Sequence, residues 1–149
     1  AAKKRDLVDV NLFSLVLTNA RGETLLLPSP AQSNSQSLAE HIPTLVSNMW
    51  HFPTVAAKAS QKTALEKLWK AIFPGLPLPS NLHALPIVRH AVTYRKITIH
   101  SFLAPVQKLP KMREAKILPL TGVTHLAISN LTRKIAARAI AAIEKKQPA

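Results

Sequence analysis

The chain has 149 residues, enough for one domain with a substantial hydrophobic core. Apolar residues make up 47% of it, which argues against a disordered chain. The absence of cysteine excludes disulfides, cysteine-ligated zinc and iron–sulfur clusters within this chain. Twelve prolines against three glycines disfavour an all-helical bundle and favour a domain of strands and loops.

Positive charge is concentrated in the second half of the chain. Residues 1–86 carry eight Lys and Arg against five Asp and Glu, a net charge of about +3. Residues 87–149 carry twelve against two, a net charge of about +10, and the whole chain reaches +13. A one-sided basic region is typical of proteins that bind polyanions such as nucleic acids. The alternative interpretation is that these charges only keep the surface solvated and soluble.

The domain organisation is predicted to be simple. We expect one domain over residues 8–143, with a flexible arm at 1–7 and a short tail at 144–149. The basic start of the chain is not followed by the apolar region of a signal peptide, and no apolar run is long enough to span a bilayer. The start without methionine favours a fragment of a larger protein, which we expect to be cytoplasmic and monomeric.

The first elements are predicted to be two strands and a turn. Val8 to Thr18 is rich in Val, Leu and Phe and alternates loosely, as in a strand. Gly22 can adopt positive φ in the turn that follows, and Thr24 to Leu27 is then predicted to pair with the first strand as a hairpin. The polar segment 28–37 is predicted to be a mobile loop.

A helix is predicted in the middle of the chain. The segment Thr63–Glu66 has the form of a capping box, which marks a helix N-terminus. Apolar residues follow at helical spacing and form one face: Leu65, Leu68, Trp69 and Ile72. Pro74 and Gly75 end the helix. Residues 76–86 contain three prolines and are predicted to be an extended connector.

The second half is predicted to contain strands and a final helix. Residues 87–106 are the most regular strand region, with an apolar and a mostly polar face: Ile97, Ile99, Ser101 and Leu103 against Lys96, Thr98, His100 and Phe102. A short strand is predicted at 116–120, and a helix from a cap at Ser129 to about Lys145. The order of strands, helix, strands and helix predicts an α+β fold, with a mainly antiparallel or mixed sheet and about two helices.

The sequence carries no recognisable catalytic or metal-binding motif. Its six histidines form no HExxH pattern, and its three glycines form no phosphate-binding loop. No G-x-S-x-G elbow exists, and the seven carboxylates are scattered, which disfavours paired acid–base chemistry. We therefore predict that this chain alone is not an enzyme, with no catalytic residue and no metal.

Two segments carry a resemblance to a known family. The first is Trp50-His51-Phe52-Pro53. The second is His90-Ala91-Val92-Thr93-Tyr94, which comes after a helix and is expected to form a loop that leads into a strand. With the predicted hairpin before them and the closing segment 126–135, they resemble the C-terminal domain of the A/G-specific adenine DNA glycosylases, the MutY family. The resemblance covers residues 8–143 and implies a Nudix-like fold that has lost hydrolase chemistry.

The chain departs from the pattern of that family at three places. His51 replaces the family glutamate, and residues 54–55 replace two glycines. Val92-Thr93-Tyr94 replaces the family's Phe-Ser-His. A Nudix hydrolase needs clustered glutamates for Mg²⁺, and the predicted helix offers Glu66 alone.

The resemblance implies recognition of 8-oxoguanine opposite adenine in duplex DNA. Thr93 takes the place of the family serine that contacts the base, with Tyr94 and Val92 packing or stacking nearby and His90 in the same loop. Basic residues are candidates for phosphate contacts: Arg89, Arg95, Lys96, Arg133 and Lys134. The implied partners are the duplex with its lesion and an N-terminal catalytic domain. That domain, which would carry an iron–sulfur cluster and remove the adenine, is not in this sequence, and no cofactor is expected in this chain.

Other functions stay open at this point. A basic nucleic-acid-binding α+β domain without lesion specificity would share the charge distribution. A protein-interaction module that meets an acidic partner would share it too. The aromatic residues Trp50, Phe52 and Trp69 are expected to be core residues rather than a stacking platform.

Overall fold

A computed structural model gives the fold of the chain. It describes residues 8–27, 50–56, 60–92, 95–111, 115–126, 128 and 130–146. The strands are β1 (Val8–Thr18), β2 (Glu23–Leu26), β3 (Thr54–Ala56), β4 (His83–Ala84), β5 (Val88–Val92), β6 (Arg95–Pro105) and β7 (Lys116–Pro119). The helices are α1 (Gln61–Ile72) and α2 (Asn130–Lys146), and a 3-10 helix spans Leu120–His125. None of these helices is both long enough and apolar enough to cross a bilayer.

The main sheet is mixed and has two long central strands. Its order is β3-β1-β6-β4, and β5 pairs with β6 beside β4. Strands β1 and β6 run parallel over their whole length, whereas the other pairs of this sheet are antiparallel. A second, two-stranded sheet pairs β2 with β7 in antiparallel register. The predicted α+β class with a mixed sheet and two main helices is confirmed.

Each face of the main sheet is packed against one helix. Alternate residues of β6 separate into two cores, as the sequence pattern predicted: Ile97, Ile99 and Leu103 pack with α2, and Phe102 and Ala104 pack with α1. The predicted apolar face of α1 is buried, with Leu65, Leu68, Trp69 and Ile72 each at most 6% exposed. The domain therefore has three layers, with the sheet between the helices.

The predicted hairpin between the first two strands is wrong. The turn itself forms, with Gly22 at φ 75° and the side-chain oxygen of Asn19 accepting from the backbone N–H groups of Arg21 and Glu23. Strand β2 nevertheless pairs with β7, while β1 pairs with β6 along its whole length and with β3 at residues 12–14. The turn thus directs β2 out of the main sheet and into the smaller one.

The predicted helices form with small shifts at their ends. Helix α1 is capped by Ser60, whose hydroxyl accepts from the backbone N–H of Thr63 at 3.3 Å, so the capping box predicted at Thr63 is wrong by one turn. The helix ends at Ile72, before Pro74 and Gly75 as predicted. Helix α2 starts at Asn130, while its predicted cap, Ser129, lies outside the described residues.

The remaining predictions divide between confirmed elements and new ones. The short strand near residue 116 is confirmed as β7. The proline-rich connector contains the two-residue strand β4, and the 3-10 helix was not predicted. The predicted loop at 28–37 lies outside the described residues.

Candidate nucleic-acid interface

The second motif of the resemblance lies on two antiparallel strands. Strands β5 and β6 pair from Val88 opposite Ile99 to Val92 opposite Arg95. The structure therefore places His90 and Val92 in a strand, as predicted for residues 87–106, whereas the resemblance implied a loop from residue 90. The reason is that five consecutive residues of β5 find partners on β6. Thr93 and Tyr94, between the two strands in the chain, lie outside the described residues.

Two of the predicted phosphate-contacting residues share one face of the sheet. Arg89 is opposite Thr98 in the register, so their side chains point to the same side. Lys96 precedes Ile97, which is buried against α2, so Lys96 points to the opposite side, the side of α1. Both Arg89 and Lys96 are exposed. Of Arg95 the structure describes the backbone only.

Further polar residues lie on the same part of the sheet. The parallel register places Asp9 beside Lys96, Asn11 beside Thr98 and Phe13 beside His100. We call this surface the polar sheet face and define it by six residues: Asp9, Asn11, Arg89, Lys96, Thr98 and His100. Asp9 and Asn11 are exposed, while Thr98 and His100 are half-buried. The surface combines two cations and the carboxylate of Asp9 with hydroxyl, amide and imidazole groups that can form hydrogen bonds.

An aromatic pair marks the border between the polar sheet face and the core under α1. The rings of Phe13 and His100 stack with centroids 4.9 Å apart and an interplanar angle of 17°. Burial lowers the pKa of His100, which favours the neutral imidazole. Beyond this pair, the same face carries Leu15 and Phe102, which helix α1 covers. The helix therefore covers one part of this sheet face and leaves the polar part accessible.

Helix α1 presents lysines on its solvent side. Lys62, Glu66, Lys67 and Lys70 are all exposed. Glu66 is the single carboxylate on this helix. Across the described parts of the chain, no group of three or more His, Asp and Glu side chains could hold a metal ion. The exposed side of α1 therefore carries three positive charges and one negative charge.

The two other predicted phosphate-contacting residues lie elsewhere. Arg133 and Lys134 are exposed on α2, whose residues Ile135 and Ala136 pack on the opposite side of the main sheet. The sequence grouped them with Arg89 and Lys96, but the structure places the two pairs on opposite sides of the domain. One short duplex lying flat on the polar sheet face would not reach the α2 pair.

The first motif of the resemblance is structural. Phe52 is 1% exposed and Trp69 is 5% exposed, as expected for core residues. Trp50 is half-buried, packs against the core that contains Phe52, and has the ammonium group of Lys116 at 5.6 Å from its ring centroid. None of the three forms an open stacking platform.

His51 is buried within this motif. It is 3% exposed, and its backbone exchanges two hydrogen bonds with Leu27. Its Nδ1 lies 2.9 Å from the carbonyl oxygen of Phe52, which can only accept, so Nδ1 carries the proton. Nε2 is buried without a hydrogen-bond partner, and burial lowers the pKa of His51. The residue that replaces the family glutamate is therefore a neutral core histidine.

Solved structures resemble this fold over almost its entire length. The E. coli ORF135 protein superposes with a TM-score of 0.68 at 14% identity, with 96% of each chain covered. A mutT/nudix family protein from Listeria innocua gives 0.66 at 14% identity, covering 96% of this chain and 98% of that one. The chain has a Nudix-like fold.

A third neighbour comes from the family that the sequence resembles. The C-terminal domain of mouse MUTYH, solved in complex with human PCNA, matches this Nudix-like domain with a TM-score of 0.62 at 19% identity. The match covers 95% of this chain and 92% of that one. No family model matches the chain, and neither does any curated protein sequence. The Nudix-like fold implied by the resemblance is thus confirmed, whereas membership of the MutY family stays a prediction.

Sequence reasoning missed part of the candidate interface. Asn11, Thr98 and His100 were not selected as site residues. Their signal was the alternation of β6, which already placed Thr98 and His100 opposite the apolar face. What the sequence lacked was the parallel pairing of β6 with β1, which adds Asp9 and Asn11.

Proposed function

We propose that this Nudix-like domain binds duplex DNA through the polar sheet face and the β5–β6 hairpin, and recognises 8-oxoguanine opposite adenine. The observation that carries the proposal is the exposed pair Arg89 and Lys96, on the two strands that lead to Thr93 and Tyr94. The matching C-terminal domain of MUTYH supports this function. A separate catalytic domain of the same protein would then excise the adenine.

The proposed chemistry assigns different tasks to the two kinds of residue. Arg89 and Lys96 hold the DNA backbone through charge, which positions the duplex without reading its sequence. Oxidation of guanine converts N7 from an acceptor into an N–H donor and adds a carbonyl oxygen at C8. The hydroxyl of Thr93 would accept from N7–H of the oxidised base, an interaction that unmodified guanine cannot offer.

Hydrolysis of a nucleotide is the second candidate function, because several structural neighbours are MutT or nudix proteins. Such chemistry needs carboxylates to hold Mg²⁺ beside the phosphates. The exposed side of α1 instead carries Lys62, Lys67 and Lys70 around Glu66. These cations favour binding of a polyanion over binding of a metal ion.

The test compares two labelled duplexes by fluorescence anisotropy across a salt series. One contains 8-oxoguanine opposite adenine, and the other contains guanine opposite adenine. We expect tighter binding to the oxidised duplex, by about tenfold, the value of one good hydrogen bond to a base. Thr93→Ala should remove this preference and keep the salt dependence, whereas the control Thr124→Ala, an exposed position on the 3-10 helix, should keep both.

Two results would contradict the proposed function. Equal binding of both duplexes by the unmodified domain would reduce it to a DNA-binding module without lesion recognition. Release of pyrophosphate or phosphate from nucleoside triphosphates with Mg²⁺, lost in Glu66→Gln, would favour the hydrolase instead.

A further inference from the structure

A groove lies at the edge of the main sheet, on the side of α2. It runs between residues 83–86, which include β4, and helix α2 at Arg138, Ala141 and Ala142. Its volume is about 540 Å³. We call it the edge groove. It is separate from the polar sheet face, which points to the side of α1.

One wall of the edge groove is β4, whose outer edge pairs with no other strand among the described residues. Strand β4 ends the order of the main sheet and pairs with β6 alone among the described strands. The backbone N–H of Leu85 donates to the carbonyl oxygen of Ser101 at 2.9 Å. Hydrogen-bonding residues alternate in an antiparallel ladder, so the N–H and C=O of the preceding Ala84 point away from β6. Ala84 is exposed, and its backbone N–H and C=O have no backbone partner in the described parts of the chain, which leaves them open to another strand.

The other wall carries the positively charged side chain of Arg138. Arg138 is half-buried, and its Nε is buried without a hydrogen-bond partner. A guanidinium is always charged and presents five donors, so its place in the lining of the edge groove favours an anionic ligand. Ala141 and Ala142 are small and leave room beside it.

We propose that the edge groove binds an extended acidic peptide, which adds to β4 as a further strand and directs a carboxylate side chain to Arg138. Addition of a peptide to an open sheet edge beside a helix is a recurring mode of recognition: main-chain hydrogen bonds give affinity, and side-chain pockets give specificity. The peptide is acidic because the chain has a net charge of +13 and the groove offers Arg138. Since the peptide and the DNA would occupy different faces, this proposal does not depend on the proposed function.

The test uses one β-prone peptide, Thr-Val-Thr-Glu-Val-Thr, and its Glu→Gln form, both fluorescein-labelled. Titrations into the ¹⁵N-labelled domain should shift the amide resonances of Ala84 and Leu85. The opposite sheet edge, β3, should not respond. Anisotropy should give about tenfold weaker binding for the Gln peptide, as expected for loss of a charge-assisted hydrogen bond.

Variants separate the role of Arg138 from a general effect of charge. Arg138→Gln should weaken binding of the Glu peptide by about tenfold and leave binding of the Gln peptide unchanged. Arg21→Gln removes the same charge at an exposed turn and should change neither affinity. The comparison of the two peptides on the unmodified domain keeps the test valid if Arg138→Gln does not fold.

Three results would overturn the proposal. The first is the absence of shifts at Ala84 and Leu85 at about millimolar peptide. The second is equal affinity for the Glu and Gln peptides. The third is displacement of the peptide from those amides by a thymidine oligonucleotide, which would assign the edge groove to single-stranded nucleic acid.

Discussion

The two basic pairs offer a direct test of the proposal that the polar sheet face binds DNA. Arg89 and Lys96 lie on the polar sheet face, whereas Arg133 and Lys134 lie on the solvent side of α2, across the sheet. The double variants Arg89→Gln/Lys96→Gln and Arg133→Gln/Lys134→Gln each remove two positive charges from exposed positions. They therefore change the net charge equally and differ in the surface that they alter.

The expected effect follows from the number of phosphate contacts that are lost. Each neutralised contact lowers the slope of log K against log salt by about 0.9, so two contacts lower it by about 1.8. If the affinities converge near 1 M salt, this difference corresponds to about 30-fold weaker binding at about 0.15 M salt. Removal of the α2 pair should change the slope by less than about 0.5, because under the proposed function those residues would contact no phosphate of the same duplex.

Fluorescence anisotropy with one unmodified duplex, between about 50 and 200 mM salt, measures both slopes. Circular dichroism of each variant controls for folding. Equal losses of slope in the two variants would refute the assignment of DNA to the polar sheet face, since only net charge would then matter. A larger loss in the α2 variant would place the DNA on the opposite side of the domain.

Three further predictions concern the stability of the fold. The hydroxyls of Ser14 and Ser101 lie 3.0 Å apart, and both residues are at most 1% exposed, so each single change to Ala should lower the free energy of unfolding by about 1–2 kcal/mol. In urea denaturation, the double variant should lose less than the sum of the two single losses. Additive losses would show that the two hydroxyls do not depend on each other. Burial lowers the pKa of His51 from its ordinary value of 6.5, so the stability that its neutral form contributes is present above about pH 6.5 and is lost as the pH falls. His51→Gln should therefore flatten the acid side of the profile of unfolding free energy against pH. An unchanged profile would show that His51 is not the source of the acid sensitivity. Ser60→Ala removes the N-cap of α1 and should lower the free energy of unfolding by about 1 kcal/mol. The control is Ser80→Ala, a change at an exposed position where no loss is expected. Equal stability of the two variants would show that the cap has no net effect.

The sequence predicted elements where hydrophobic periodicity was strong. The alternation of β6 placed Ile97 and Ile99 on one face correctly, and the spacing of Leu65 and Leu68 identified the buried face of α1. Both patterns report local geometry, which the sequence determines directly. The division of the chain into an arm, a domain and a tail stays a prediction.

Strand pairing was harder to predict because it depends on distant residues. The turn at Gly22 suggested a hairpin, but β1 pairs with strands that begin at residues 54 and 95, and β2 pairs with β7. The same difficulty limited the prediction of the residues in the candidate interface. Asn11 joins Thr98 on the polar sheet face only through the parallel register, which no local pattern reveals.

The parallel pairing of β1 with β6 has a consequence for biosynthesis. The buried contact between Ser14 and Ser101 joins residues 87 positions apart, and the whole central pair has similar separations. A chain emerging from the ribosome can pair β1 with β3 early, but the other edge of β1 stays open until β6 has been synthesised. Truncations that end before β6 should therefore lack the central strand pair, and the open edge of β1 would be available for unwanted pairing with other chains.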